Sequence, residues 1–237
     1  MALKDLLPQQ NAISPYAGEK GTNYEDKCPV VLVLDASASM EGKPIQELNK
    51  GLKRFQTEIQ NDPIASKRVE LAILTFNHEI KVIQDFTLLD GQGMPEIRAS
   101  GTTRMADGLR EGIKRVEARK DWYKKENGVG YYRPFIILMT DGAPNRDQDI
   151  EGITREINEG VNNKHFRFWP FGVQGADMGL LNRVAHDEFP AMKLKGVQFV
   201  TFFEWLSNSM KATSRSKKEE QIDITPEQDN NPFQITV

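Results

Sequence analysis

A Rossmann-like, doubly wound α/β fold, its sheet mostly parallel with one antiparallel edge strand, is the architecture this sequence predicts. The runs Val30–Leu34 and Pro134–Thr140 are apolar without interruption. A strand covered by helices on both faces has no polar side to present, so it reads this way. Between such runs apolar residues recur at helical spacing, as in Ile45, Leu48, Leu52, Phe55 and Ile59. Both runs also stop at an acid, Asp35 and Asp141. Strands alternating with amphipathic helices imply right-handed crossovers and a sheet whose ligands bind beyond the carboxyl ends of its strands.

Each element follows in order. Residues 1–27 are polar and turn-rich, with Pro8, Pro15, Gly18 and Gly21, and read as an N-terminal extension. The domain proper is expected over 28–215. Val30–Leu34 opens it, and the helix Pro44–Gln60 follows, with proline suited to its first turn. Val69–Phe76 is the second strand. Asn77-His78 then turns the chain into Ile80–Phe86, the antiparallel edge. Met105, Leu109, Ile113 and Val116 stripe a helix over Thr103–Lys125. After Pro134–Thr140, Ile150, Ile153, Ile157 and Val161 mark another helix, and Phe166–Val173 another strand. Leu180–Ala185 is a short helix, Val197–Val200 a short strand and Glu204–Ser214 the last helix. Residues 216–237 form a polar tail, whose end, Pro232 to Val237, could pair at a sheet edge.

Composition narrows the function. Of 237 residues, 38% are hydrophobic and 27% charged, and the net charge is -3, so there is no basic excess of the kind nucleic acid demands. The lone cysteine, Cys28, excludes an internal disulfide framework and reads as a small buried thiol. No run of about 18 apolar residues occurs, so no membrane span is expected. The start, MALKDLLPQQ, lacks an apolar core of signal-peptide length, and a cytoplasmic protein is expected.

The chemistry sits in VLVLDASASM, residues 31–40. A dinucleotide site needs a glycine-rich turn after the first strand, and here no glycine comes before Gly42. A phosphatase or phosphotransferase of the haloacid dehalogenase type is the enzyme alternative. It requires a second aspartate two residues after Asp35 as general acid, and Ser37 stands there. Asp35, Ser37 and Ser39 alternate, so their oxygens can converge where the strand unwinds. Such oxygens suit a hard cation, Mg²⁺ first, with Mn²⁺ or Ca²⁺ as substitutes. Few direct anions leave the ion electrophilic and open to an outside carboxylate. Ala99-Ser-Gly-Thr-Thr-Arg104 can add a further hydroxyl at a helix start.

Plainer readings exist residue by residue. Ser39 can cap the helix at Pro44, Thr102 or Thr103 the next helix, and Asp141-Gly142 is a common turn. Arg104 and Arg146 flank the acids as surface charges or as guides for an acidic ligand, and Lys43 is similar. His78, His165 and His186 are scattered and lack metal-ligand spacing. Trp122, Tyr123, Tyr131 and Tyr132 form either core cover or a partner patch.

Together, DASAS, SGTT and TDG resemble the metal-ion-dependent adhesion site (MIDAS) of von Willebrand factor type A domains. The resemblance covers residues 28–215. It implies that Ser37 and Ser39 bind the metal through their hydroxyls, and that Thr102, or its neighbour Thr103, supplies a third. Asp35 and Asp141 would hold the ion largely through waters. Finer stretches, DASASMEGKPI, QNDPIASKRVELAILTF, ASGTTRMADGL and FIILMTDGAPN, resemble the bacterial TerY-like branch, associated with tellurium resistance and stress response. That implies a cytoplasmic protein encoded near a kinase and a phosphatase. The sequence therefore predicts a non-enzymatic interaction module in which a partner's Asp or Glu completes the metal.

Overall fold

A computed structural model describes residues 16, 23–91, 93–141, 143–173, 175–196, 198–216 and 233–234. One sheet runs through them in the order β3-β2-β1-β4-β5-β6-β7. The strands are β1 (Cys28–Asp35), β2 (Val69–Phe76), β3 (Ile80–Leu88), β4 (Phe135–Thr140), β5 (Arg167–Gly172), β6 (Met192–Leu194) and β7 (Phe233–Gln234). The helices are α1 (Lys43–Gln60), α2 (Ala65–Arg68), α3 (Met105–Trp122), α4 (Ile150–Asn162), α5 (Met178–Val184) and α6 (Phe199–Arg215). From β1 the chain moves outward to β2 and β3, then returns through α3 to β4 on the other flank of β1. The winding reverses at β1 and β4, the place where sheets of this kind bind ligands beyond the carboxyl ends of their strands.

Period-two alternation builds the two faces. Val30, Leu32 and Leu34 of β1 pack with Leu48, Leu52 and Phe55 of α1 and with Phe202, Phe203 and Leu206 of α6. Val31 and Val33 pack on the opposite face with Leu109 and Ile113 of α3, Ile153 and Ile157 of α4 and Leu181 of α5. Every residue of β1, β2 and β4 is buried, as strands covered on both sides require. A Cβ on Gly51 would fall 2.4 Å from the Phe203 ring, so the bare glycine lets α1 and α6 approach this closely.

Pairing of β1 with β2, β1 with β4 and β4 with β5 is parallel. β3 is antiparallel at its edge, as expected. At the opposite edge the two-residue β7 pairs antiparallel with β6, within the tail segment expected to seek an edge. The expected strand Val197–Val200 is not formed. Phe199 and Val200 open α6, because Phe199, Phe202, Phe203 and Leu206 make one continuous buried helical face; Val197 lies outside the described residues. The strand beside β5 is Met192–Leu194, where three residues carry too little periodicity to be read. The short α2 was likewise absent from the sequence reading.

Cys28 is fully buried, and burial pushes its thiol up to about 12. Trp122, Tyr123 and Tyr132 are buried too, which settles them as core cover. Trp122 and Tyr123 belong to a polar anchor at the amino edge of the sheet, whereas the Tyr132 hydroxyl donates to Ser214 O and Ser216 O on the other face. Arg119 reaches Glu70 through Nε and Nη2, both at 3.0 Å, and the Tyr123 hydroxyl donates to the same carboxylate. The guanidinium lies 3.9 Å from the Trp122 ring centroid and 4.7 Å from that of Tyr16. Among the described residues no helix is long and apolar enough to cross a membrane.

The anchor yields a measurable expectation. Glu70→Ala removes the carboxylate from a buried guanidinium, and breaking such a pair from one side costs about 3–5 kcal/mol. Urea denaturation should register that loss, with a smaller one for Glu70→Gln, whose amide oxygen still accepts from Arg119. Equal stability of Glu70→Ala and the native chain would show that the pair is not desolvated.

Candidate metal centre

Three loops meet at the carboxyl edge. The first follows β1, which ends at Asp35, and carries Ser37 and Ser39; the second precedes α3 and carries Ser100 to Thr103; the third follows β4 from Asp141. Parallel register sets Leu34 opposite Met139, so the next residues, Asp35 and Thr140, lie side by side. Asp35 is buried with both oxygens engaged. Oδ1 accepts the Ser37 N–H at 2.8 Å, and Oδ2 accepts the Thr140 hydroxyl at 2.6 Å.

The serines form a chain. Ser39 Oγ donates to Asp141 Oδ1 at 2.8 Å, and Ser37 Oγ lies 2.9 Å from Ser39 Oγ. Ser39 has one proton and gives it to the carboxylate, so Ser37 is the donor in the hydroxyl pair. Each serine keeps lone-pair capacity for another partner. Four of the predicted residues, Asp35, Ser37, Ser39 and Asp141, are thus brought together.

The second loop is laid against the first by main-chain bonds, Ser100 N–H to Ala36 O at 2.8 Å and Ala38 N–H to Gly101 O at 3.0 Å. Gly101 takes φ 76, and a Cβ there would lie 2.2 Å from His78 Nδ1. Only glycine fits both demands. His78, exposed on the β2–β3 turn, therefore sits on the rim of this edge. Thr102 is exposed and Thr103 buried. The Thr102 hydroxyl accepts from Asn145 Nδ2 at 3.2 Å. Asn145 was not singled out in the sequence, because its partners lie 42 and 43 positions back along the chain.

The plainer readings of the hydroxyls do not hold. The α1 start has Gly42 at its cap, and neither it nor the single 3₁₀ turn Ala38–Met40 receives a side-chain cap bond, so Ser39 caps neither. The α3 cap residue is Arg104, again without a side-chain cap bond, so neither threonine caps that helix. By contrast α4 and α5 are capped by side chains, Asp149 and Asp177.

Electrostatics give the donor set its meaning. Burial pushes Asp35 up to about 6, against hydrogen bonds from Ser37 and Thr140 that pull it down, and nearby Asp141 adds to the rise. Burial also raises Asp141, opposed by the Ser39 bond. Among the described residues no lysine or arginine bridges either acid. Arg104 is engaged by Asp107, at 2.8 Å from Nε and 2.7 Å from Nη2, whereas Arg146 is exposed. Two acids under desolvation, beside hydroxyls with spare lone pairs, fit a hard cation. Among the described residues no cluster of three or more His, Cys, Asp or Glu offers a rival metal position.

Comparisons with known proteins agree with this architecture. No curated protein matches the chain in sequence. Among solved structures, the pilus adhesin SpaC from Lactobacillus rhamnosus GG aligns with TM-score 0.61 at 14% identity, over 80% of this chain and 31% of that one. The PilB minor pilin from Streptococcus sanguinis aligns with TM-score 0.56 at 11% identity, over 80% and 62%. Proximal thread matrix protein 1 from the mussel byssus, in a structure with a zinc-occupied MIDAS motif, aligns with TM-score 0.54 at 17% identity, over 82% and 47%. The chain thus spans less than two thirds of each of these structures. The family model for the von Willebrand factor type A domain matches residues 30–200, and the chain belongs to that family.

Proposed function

We propose that residues 28–215 form an interaction module that holds a divalent cation at the three-loop edge and captures an acidic side chain of a partner protein. Domains of this family commonly mediate metal-dependent protein interactions. The observation that carries the reading is the chain Ser37–Ser39–Asp141 beside buried Asp35, with no basic side chain bonded to either acid among the described residues. Ser37, Ser39 and Thr102 supply hydroxyl oxygens, and Asp35 and Asp141 supply the charge. A bound Mg²⁺, or Mn²⁺ or Ca²⁺ in its place, would supply an electrophilic position for a foreign carboxylate.

The chain's own groups divide the work. Asp35 orients Ser37 by accepting its N–H, and Thr140 fixes Asp35 in turn. Asp141 accepts the Ser39 hydroxyl hydrogen bond and so sets the rotamer of that hydroxyl. Exposed Arg146 favours the approach of an acidic surface; Arg104, tied to Asp107, contributes less. Ser37 and Ser39 bond each other and Asp141 rather than a histidine or lysine, which supports a binding role over a phosphatase with an activated nucleophile. The TerY-like resemblance extends the proposal to a cytoplasmic stress-response or tellurium-resistance system, with a kinase or phosphatase as partner.

Three results are expected. Mg²⁺ or Mn²⁺ at about 100 times its dissociation constant stabilises the folded state by about 2.7 kcal/mol, hence a melting rise of about 5–10 °C that Ser37→Ala abolishes. Calorimetry without heat, and melting unmoved by millimolar metal, would remove the cation from the proposal.

Partner capture is read by pull-down from the native extract with Mg²⁺ and with EDTA. Bound proteins should be lost in EDTA, and also from Asp35→Ala with Mg²⁺ present. Retention in both arms would place the contact surface elsewhere. Finding the partner in a cell-envelope fraction would count against the cytoplasmic setting.

The last result concerns pH. Asp35 is raised in the folded chain from 3.8 to about 6. A raised acid contributes stability that is fully present below the unfolded value and is lost as pH rises through the folded one. In EDTA at pH 7.5, Asp35→Asn should therefore melt above the native chain, by up to about 3 kcal/mol. The gap should close as pH falls from 6 to 4. A gap independent of pH would show that Asp35 carries no strained charge.

A further inference from the structure

The first two loops are joined by the backbone at Ser100 and Gly101, and the Arg104 N–H is tied to Asn77 O at 3.0 Å. Thr102 and Thr103 lie between those pins. Among the described residues, the hydrogen bonds that hold them come from Asn145, in the third loop past Asp141. Its main-chain N–H donates to Thr103 O at 2.9 Å, its Oδ1 accepts the Thr103 N–H at 3.2 Å, and its Nδ2 donates to Thr102 Oγ1 at 3.2 Å. The amide orientation follows from chemistry, because the Thr103 N–H is a donor and only the amide oxygen can meet it. The nitrogen is then left facing the hydroxyl. Thr102 Oγ1 accepts one bond there, which leaves its proton and its second lone pair uncommitted.

We infer that Asn145 is the positioning residue of this centre: it locks the threonine loop to the acid loop and so fixes the third hydroxyl for the cation. The inference rests on the cation reading above. Ser39 to Asp141 joins the first loop to the third, and Ser100 and Gly101 join the second to the first. Asn145 supplies the remaining join, second to third, and closes the ring. Partners that orient a ligand without touching the metal typically set affinity by about 10–100-fold.

The test uses the full chain, with Mn²⁺ as probe. Its affinity is measured by calorimetry, and the number of ion-bound waters by water-proton relaxation. Asn145→Ala should bind Mn²⁺ about 10–100-fold more weakly, with one more water on the ion where the threonine oxygen has gone. Its melting temperature in EDTA should stay within a few degrees of native. Asn145→Leu, of nearly equal size, should behave alike, since it keeps the packing and loses both side-chain bonds. Ser37→Ala separates the two ideas. If it binds Mn²⁺ as the native chain does, the cation reading fails and this inference with it. If it loses Mn²⁺ while both Asn145 variants keep native affinity and water number, the inference about Asn145 alone is overturned. If both Asn145 variants are unfolded in EDTA, Asn145 is a structural residue and the inference is likewise overturned.

Discussion

The parallel register of β1 with β4 is the constraint on which the rest of this centre depends. It brings the buried Asp35 beside Thr140 and sets Asp141 one residue further on. A one-residue slip would turn Asp35 to the other face of the sheet and move the whole apolar set of β1 with it. Burial on both faces forbids that slip, because Val30, Leu32 and Leu34 fill one core and Val31 and Val33 the other. The apolar packing of the strands therefore holds two acids close together against their mutual repulsion.

Much of this was legible in the sequence, and the reason is periodicity. β2 runs over Val69–Phe76 as read, and α4 begins at Ile150, where its stripe begins. Strand ends were legible too, since apolar runs that stop at Asp35 and Asp141 mark the edge where a doubly wound sheet binds. Short elements were not. β6 has three residues, and its pairing to β5 is set by tertiary contact rather than by local pattern. The misread at Val197–Val200 has the same origin, since a four-residue window of β-favouring residues cannot reveal that Phe199 starts a face continued by Phe202, Phe203 and Leu206.

At the centre itself the alternation of Asp35, Ser37 and Ser39 is a local signal, and a reader of the sequence finds it. The role of Asn145 is not local. It bridges 42 positions back to Thr103, and nothing in GAPN distinguishes a bridge from a surface turn. His78 on Gly101 is similar: the glycine announces a special backbone, whereas the ring that fills the space above it comes from another loop. Sequence spacing reports which side chains share an element, and the joins between elements require the folded chain.

The direction of the proton chain at the serines has a consequence for speed. Ser37 donates a hydrogen bond to Ser39, and Ser39 donates one to Asp141. Each hydroxyl hydrogen is then engaged within the chain, so a cation bound as proposed above would meet oxygens with lone pairs still uncommitted. By capacity alone, neither hydroxyl would have to surrender its hydrogen bond at such a capture. In that reading the protein side of the encounter would be prepared in folding, and the pace of loading would pass to the ion, to how readily it sheds water. Between two ions of equal charge, the one whose water exchanges faster would then fill such an edge first, whichever holds more tightly at equilibrium.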